Sequence, residues 1–306
     1  MSPQVLQNIY TLPIASLQQQ LGAYLLGLAI SSPIYAISLC QVVLYFRTYR
    51  LDPRFLKSIV LILIAMESVR FAFLAHTVYM SFVTLNDVLH HVDRSATCHE
   101  NRVRQIMLMM VEFLEASLCF VVQSAYVVRI WRLSSRNKIL AGAIVIPMLC
   151  QFGSGLVVIS GLIFETTGQG LGLCAFGGPF QTGQTSAVLS VIYEVSRYSQ
   201  LCASLVSDAM ITLSMFYYLK CGLVETNFFG TKSIISLLIS YTLAIGLVTS
   251  IFSITALAIF TAGATQVHFP TIHFMIYNVY VNSFLASLNW RMGLREAGQD
   301  RGNLGI

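Results

Sequence analysis

Long blocks of apolar residues alternate with short polar connections along the chain, and seven such blocks can be counted. A stretch of about 18 or more mostly apolar residues is long enough to cross the hydrocarbon core of a bilayer as an α-helix. The blocks are continuous and do not alternate in polarity, which excludes the strands of a membrane barrel. The sequence therefore predicts an all-α polytopic membrane protein with a bundle of seven transmembrane helices. The predicted spans run from about Leu21 to Phe46, Leu56 to Val83, Ile106 to Trp131, Ile139 to Phe164, Ala187 to Leu219, Ser233 to Thr261 and His268 to Asn289.

Lys and Arg residues gather in the connections on one side of this predicted bundle. Cytoplasmic loops retain such residues, so the asymmetry puts the N-terminus outside and the C-terminus in the cytoplasm. The chain then divides into a short extracytoplasmic N-terminus (1–20), a seven-helix transmembrane domain (21–289) and a short cytoplasmic tail (290–306). The basic residues on the cytoplasmic side are Arg47, Arg50, Arg54, Lys57, Arg129, Arg132, Arg136, Lys138, Lys220, Lys232, Arg291, Arg295 and Arg301.

Composition excludes the soluble alternatives. Charged residues make up 10% of the chain and apolar residues 56%, against about 25% and 45–50% in soluble proteins. The net charge of +5 follows from the basic cytoplasmic connections. No segment offers a basic patch on a soluble face, so we expect the lipid bilayer and no nucleic acid as a partner. The plasma membrane is favoured over an internal membrane, and protein partners and oligomeric state cannot be read from the sequence.

Several ionisable residues fall inside the predicted spans, where charges usually face a bundle interior or a water-filled cavity. Glu112 and Glu115 lie in the third span, and Glu194, Arg197 and Asp208 in the fifth. With the N-terminus outside, the first four lie in the outer parts of their helices, which indicates a polar cavity open to the exterior. Carboxylates outnumber arginines within the spans, so either some carboxyl groups are protonated or a cationic ligand binds. We predict these five residues to form a ligand-binding site.

Glu67 and Arg70 lie one turn apart on one face of the second span. We predict an intramembrane ion pair between them. The pair either belongs to a functional site or only fixes helix packing, because both uses of buried charges occur in membrane proteins.

Cys98 and Cys174 are the two cysteines in predicted outer loops. The outer compartment is oxidising, which favours a disulfide bond between them. The alternative is two free thiols, since sequence does not test the geometry that a disulfide bond requires.

Motifs for several known membrane chemistries are missing from the sequence. No lysine follows Lys232, so the last span has no amine for a retinal Schiff base. The six histidines form no HExxH motif and no helical HxxxH series. We therefore predict no metal, no cofactor and no catalytic residues, and we rank a membrane-embedded enzyme below the non-enzymatic alternatives.

Short strings spread over most of the chain form a family-like pattern. They are Gln41 and Tyr45 at the end of the first span, Asp52 with Pro53, FVVQSAYVVRIWRLS at Phe120–Ser134, Asp208 with YYL at Tyr217–Leu219, GLVTS at Gly246–Ser250 and NSFLASLNWR at Asn282–Arg291. With these strings the chain resembles, from about Leu21 to Arg295, a family of seven-span proteins from mushroom-forming basidiomycete fungi that is catalogued only as a domain of unknown function. The resemblance implies this architecture and a fungal origin, and it implies no ligand.

The sequence thus predicts a multi-pass membrane protein, and it favours receptor-like binding of a small, cationic ligand in an outward-facing polar cavity. The alternative is a transporter or proton-coupled carrier that uses Glu67, Arg70 and Asp208 near the midplane. The topology is shared with G-protein-coupled receptors. However, the third span ends VVRIWRLS where the largest receptor class has DRY, and the last span lacks the receptor motif NPxxY. Topology alone does not establish function.

Overall fold

The computed structural model describes residues 3–89, 94–168, 183–225, 246–263 and 268–303, and within these ranges all regular secondary structure is α-helical. The first five helices follow the first five predicted blocks, and α7 follows the last. The described part of α6 covers the second half of the sixth block. The helices are α1 (Pro3–Thr48), α2 (Arg54–Leu89), α3 (Arg94–Leu133), α4 (Lys138–Gly168), α5 (Gly183–Glu225), α6 (described from Gly246 to Thr261) and α7 (His268–Asn303).

Within the described ranges, five helices are long and apolar enough to cross a membrane. The spanning stretches lie in α1 to α5, and the described part of α6 is apolar but shorter than a span. Large apolar side chains such as Leu26, Ile146 and Leu213 are exposed, while charged ones such as Arg70 and Glu115 are buried. This inverted distribution is typical of a protein surrounded by lipid. The prediction of an all-α membrane protein is confirmed at this level.

Several helices extend beyond the predicted spans. Helix α1 begins at Pro3, so the segment predicted as an extracytoplasmic N-terminus is helical from that residue. The stretch of α1 that is apolar enough to span begins at Gln18. At the other end of the chain α7 continues through most of the predicted tail, to Asn303. Helical hydrogen bonding depends on the backbone, so a helix can continue past the apolar stretch that lipid requires.

Neighbouring helices run up and down the bundle. Helix α1 lies parallel to α7, because Thr271 donates to the Ala23 carbonyl (3.0 Å) and, further along both helices, Asn289 donates to the Gln41 carbonyl (2.8 Å). Contacts of α7 with α3 and α5 also advance in the same direction along each pair, whereas those of α2 with α3 and of α4 with α5 run in opposite directions. Helices α1, α3, α5 and α7 are therefore parallel to one another and antiparallel to α2 and α4.

Two short turns lie at the same end of this bundle. Thr48 ends α1, and Pro53, which has no amide hydrogen, precedes the start of α2. Asn137 precedes α4 as its N-cap, because its side-chain oxygen accepts from the amides of Ile139 (3.0 Å) and Leu140 (3.3 Å). The C-termini of α1, α3, α5 and α7 lie at this end. We call it the basic end, because it carries Arg47, Arg50, Arg132, Arg136 and Lys220.

Helix α6 approaches α5 closely at Gly246. A Cβ atom added to this glycine would clash with the side chain of Thr212 on α5. The absence of a side chain therefore permits this contact, as small residues commonly do between helices in membranes.

Candidate functional site

A bidentate ion pair joins α3 to α5 in the half of the bundle that lies away from the basic end. Nη2 of Arg197 lies 2.8 Å from Oε1 of Glu112, and Nη1 lies 3.0 Å from Oε2. The guanidinium also lies over the rings of Tyr193 and Phe269, at 5.5 and 5.6 Å from their centroids. Two parallel hydrogen bonds and two aromatic faces fix the orientation of this arginine.

A second arginine joins three helices. Arg70 of α2 is completely buried and donates to Glu115 of α3 (3.0 Å), to the side-chain oxygen of Asn278 of α7 and to the Phe274 carbonyl (3.4 Å). Asn278 also donates to the Ser31 carbonyl of α1 (3.2 Å). The Arg70 guanidinium thus satisfies groups on two neighbouring helices, and Asn278 extends the link to α1.

His273 of α7 lies between the two ion pairs. Its Nδ1 is 3.1 Å from Oε2 of Glu115 and 3.9 Å from Oε1 of Glu112. Its Nε2 is 3.2 Å from Nη1 of Arg197 and 3.3 Å from the Tyr277 hydroxyl. We call Arg70, Glu112, Glu115, Arg197 and His273 the ion-pair cluster. Two carboxylates and two guanidiniums leave it with no net charge when the imidazole is neutral.

The structure pairs the predicted site residues differently from the sequence prediction. Arg70 pairs with Glu115 across the helix interface, whereas the sequence predicted a partner one turn away on α2. That predicted partner, Glu67, is completely buried and accepts from the Ser38 hydroxyl of α1 at 3.5 Å. Glu194 is exposed on α5 and lies outside the cluster, although Arg197 follows it by only three residues. A helical step of three residues rotates a side chain by about 60° from alignment, which is enough to separate these two positions.

Cys98 and Cys174, predicted to form a disulfide bond, lie outside the residues whose side chains the structure describes. That pairing stays a prediction.

Closer to the basic end, a group of neutral polar side chains joins α3, α4 and α5. The Gln123 amide donates to Oε1 of Gln151 and to the hydroxyl of Ser207, both at 3.0 Å. Gln151 in turn approaches Sγ of Cys119 at 3.2 Å. Sequence reasoning did not identify this group. The only signal was one amide side chain in each of two apolar blocks, and nothing in a single sequence pairs them.

Asp208 also lies on the side of the ion-pair cluster that faces the basic end, at the wall of a small cavity. It is 4% exposed and accepts a hydrogen bond from the Tyr280 hydroxyl of α7, which also lies 3.3 Å from the Ser204 hydroxyl. The cavity has a volume of about 30 Å³, enough for roughly two waters. We call it the Asp208 cavity. It is lined by Gln123, Tyr126, Arg129, Asp208, Ile211, Thr212, Gly246, Thr249, Tyr280, Ser283 and Ser287.

Glu112, Glu115 and His273 offer ligand atoms within 4.8 Å of one another, which is the spacing of a metal site. Both carboxylates already pair with a guanidinium, so the cluster is electrically balanced as it stands. A divalent cation would add two positive charges to a buried region, which is strongly unfavourable unless an arginine moves away. The arrangement therefore fits an ion-pair network better than a metal centre.

Comparison with known protein families gives a match in the last third of the chain. Residues 204–293 match a family model described as "Family of unknown function (DUF6534)". A search of curated proteins and a search of solved structures each gave no match. The matched segment contains Asp208, Gly246, His273, Asn278 and Tyr280, and so includes parts of both polar sites. The chain is a helical, membrane-type protein, and over this segment it carries a domain of unknown function.

Proposed function

We propose that the chain is a seven-span protein of the plasma membrane, with its N-terminus outside, that acts as a receptor for a small cationic ligand. The supporting observation is the position of Glu112. Its side chain is 16% exposed, whereas those of Arg70, Glu115, Arg197 and His273 are at most 4% exposed. In the proposed orientation, Glu112 is the member of the cluster that an external solute reaches first.

A cationic group at Glu112 would compete with Arg197 for the same carboxylate. Removing one partner from a buried ion pair is unfavourable by about 3–5 kcal/mol. Only a ligand that brings its own positive charge restores the balance at the carboxylate, so an amine or guanidinium is favoured over a neutral solute. Displacement of Arg197 would weaken the only charged link between α3 and α5 among the described residues.

A movement of Arg197 can be transmitted to Asp208 through helices α5 and α7. The two residues lie eleven positions apart on α5, roughly 16 Å along the helix axis. On α7, His273 contacts Arg197, and Tyr280 contacts Asp208 seven positions later. A shift of α5 against α7 at the first contact therefore acts on the second, which is the mechanical requirement for a receptor that signals across a membrane.

The test is a binding screen on protein in lipid nanodiscs. Primary amines, guanidinium compounds and basic peptides are measured by thermal shift, and hits by calorimetry. We expect Glu112→Gln to weaken binding of a hit at least tenfold. Glu194→Gln is the matched control, because it removes a carboxylate near Arg197 on α5 but outside the ion-pair cluster. This variant should bind the hit as the wild type does. Binding of a hit that survives Glu112→Gln, or no hit at all, would contradict the proposal.

A carrier is the second candidate, because Asp208 is a buried carboxylate without a basic partner at ion-pair distance among the described residues. Such groups mark ion pathways in transporters. A carrier predicts electrogenic flux in reconstituted vesicles that Asp208→Asn abolishes. Vesicles without electrogenic flux, together with amine binding at Glu112, would favour the receptor.

A further inference from the structure

The Asp208 cavity lies between four helices, on the basic side of the ion-pair cluster. Its walls come from α3, α5, α6 and α7. A pocket for an organic ligand needs about 300 Å³ or more, whereas this cavity holds about 30 Å³. Only water or a single small ion fits.

The charge of Asp208 distinguishes it from the acids of the ion-pair cluster. Glu112 and Glu115 each face a guanidinium, but Asp208 has neutral partners among the described residues, the hydroxyl of Tyr280 and the side-chain amide of Gln123. Within the described part of the chain no arginine, lysine or histidine reaches ion-pair distance of this carboxylate. A buried carboxylate without a countercharge is unfavourable by several kcal/mol, so a positively charged species at this position stabilises the fold.

Three hydroxyl groups around the cavity already donate their hydrogens elsewhere. Thr249 donates its hydroxyl hydrogen to the Gly246 carbonyl (3.1 Å), and Ser287 donates to the Phe284 carbonyl (2.7 Å). Tyr280 donates to Asp208. With their hydrogens already used, these hydroxyl oxygens retain lone pairs and no donor. These three acceptor oxygens beside one carboxylate favour a cation over an anion.

We propose that the Asp208 cavity binds one alkali cation of about the size of sodium. Carboxylate and hydroxyl oxygens are ligands for hard cations, and the described residues that line the cavity include no cysteine or histidine to select a transition metal. One carboxylate balances one positive charge. Arg129 also lines the cavity, six residues beyond Gln123 on α3, roughly 9 Å along the axis. Its positive charge disfavours a divalent ion more than a monovalent one.

The bound ion would connect three helices. Asp208 is on α5, Thr249 on α6, and Ser283 and Ser287 on α7. A cation coordinated by these residues holds α6 and α7 against α5 at the same level as the Tyr280 hydrogen bond. Occupancy should therefore stabilise the bundle, and the stabilisation should saturate with cation concentration.

The test is thermal unfolding of the full chain in nanodiscs at constant ionic strength. Sodium chloride is exchanged stepwise for N-methylglucamine chloride, whose cation is too large for the cavity. We expect sodium to raise the Tm in a saturable manner by about 2–6 °C. Potassium and lithium are compared in the same way, and calcium tests the charge argument. A Tm independent of sodium, or a larger shift with calcium, would overturn the proposal.

Two variants locate the effect. Asp208→Asn keeps the shape and removes the charge, so its Tm should no longer respond to sodium and should lie near that of the sodium-loaded wild type. Ser283→Ala keeps the carboxylate and removes one oxygen, so the sodium concentration for half-maximal shift should rise several-fold. Glu194→Gln should respond as the wild type does. A sodium response retained by Asp208→Asn and unchanged in Ser283→Ala would place the ion elsewhere. Failure of amine binding at Glu112 would leave this response intact.

Discussion

Arg70 and Glu115 form an ion pair at 3.0 Å in which both side chains are completely inaccessible to solvent. We expect Arg70→Met to destabilise the protein by about 3–5 kcal/mol, because it leaves Glu115 buried without its guanidinium. The double variant Arg70→Met with Glu115→Gln removes both charges and should recover most of that loss. Unfolding in mixed micelles measures these two variants, the single variant Glu115→Gln and the wild type as a double-mutant cycle. Additive effects would mean that the two side chains do not interact.

Arg197 binds Glu112 through two nitrogen atoms, and an ammonium group presents only one point of charge. Arg197→Lys should therefore lower the free energy of unfolding by about 1.5–3 kcal/mol, the range for a lost hydrogen bond to a charged group. Arg132→Lys is the control, since Arg132 is exposed at the basic end. Equal stability of the Arg197 variant and the wild type would show that the bidentate geometry contributes nothing.

Gly246 allows α6 to contact Thr212 of α5, and a methyl group has no room there. Gly246→Ala should destabilise the protein by about 1–3 kcal/mol through overpacking. Gly153→Ala places the same methyl group in the interior of α4, where nothing lies within 4 Å. It should be neutral or stabilising by up to about 1 kcal/mol, because alanine favours helix. A Gly246 variant as stable as the Gly153 variant would contradict the close approach.

The proposed odd number of spans can be tested with terminal tags. Seven spans put the two termini on opposite sides of the membrane, and the basic connections put the N-terminus outside. An antibody should therefore detect an N-terminal tag on intact cells and a C-terminal tag only after permeabilisation. Detection of both tags under the same condition would show an even number of spans.

Much of the fold could be predicted because lipid imposes a simple rule on the sequence. Apolar blocks long enough to span must be helical, so α1 to α5 appear where the hydropathy predicted them. Helix ends outside the apolar blocks were harder to predict from the sequence, as the start of α1 at Pro3 illustrates. Beyond the hydrocarbon core the backbone can bond to water, and apolar length no longer determines where a helix begins.

The candidate site was predicted by residue type but not by pairing. Glu112, Glu115 and Arg197, three of the five predicted site residues, belong to one ion-pair cluster. Spacing along a single helix could not reveal that Arg70 faces α3 or that Glu194 turns away, because these depend on the rotation of each helix about its axis. His273 was not among the predicted site residues, although it contacts both ion pairs. Its role depends on α7 lying beside α3 and α5, which a single sequence does not specify.

The ion pair between α2 and α3 also bears on how the protein enters the membrane during synthesis. Helix α2 emerges first and carries both Glu67 and Arg70 in its apolar stretch. A charge at the centre of an isolated helix opposes insertion by about 2.5–3.5 kcal/mol. Glu115, the ion-pair partner of Arg70, becomes available only when α3 has been made. Helices α2 and α3 should therefore partition into the bilayer as a hairpin, and a chain truncated between them should insert its second helix less completely than one that contains both.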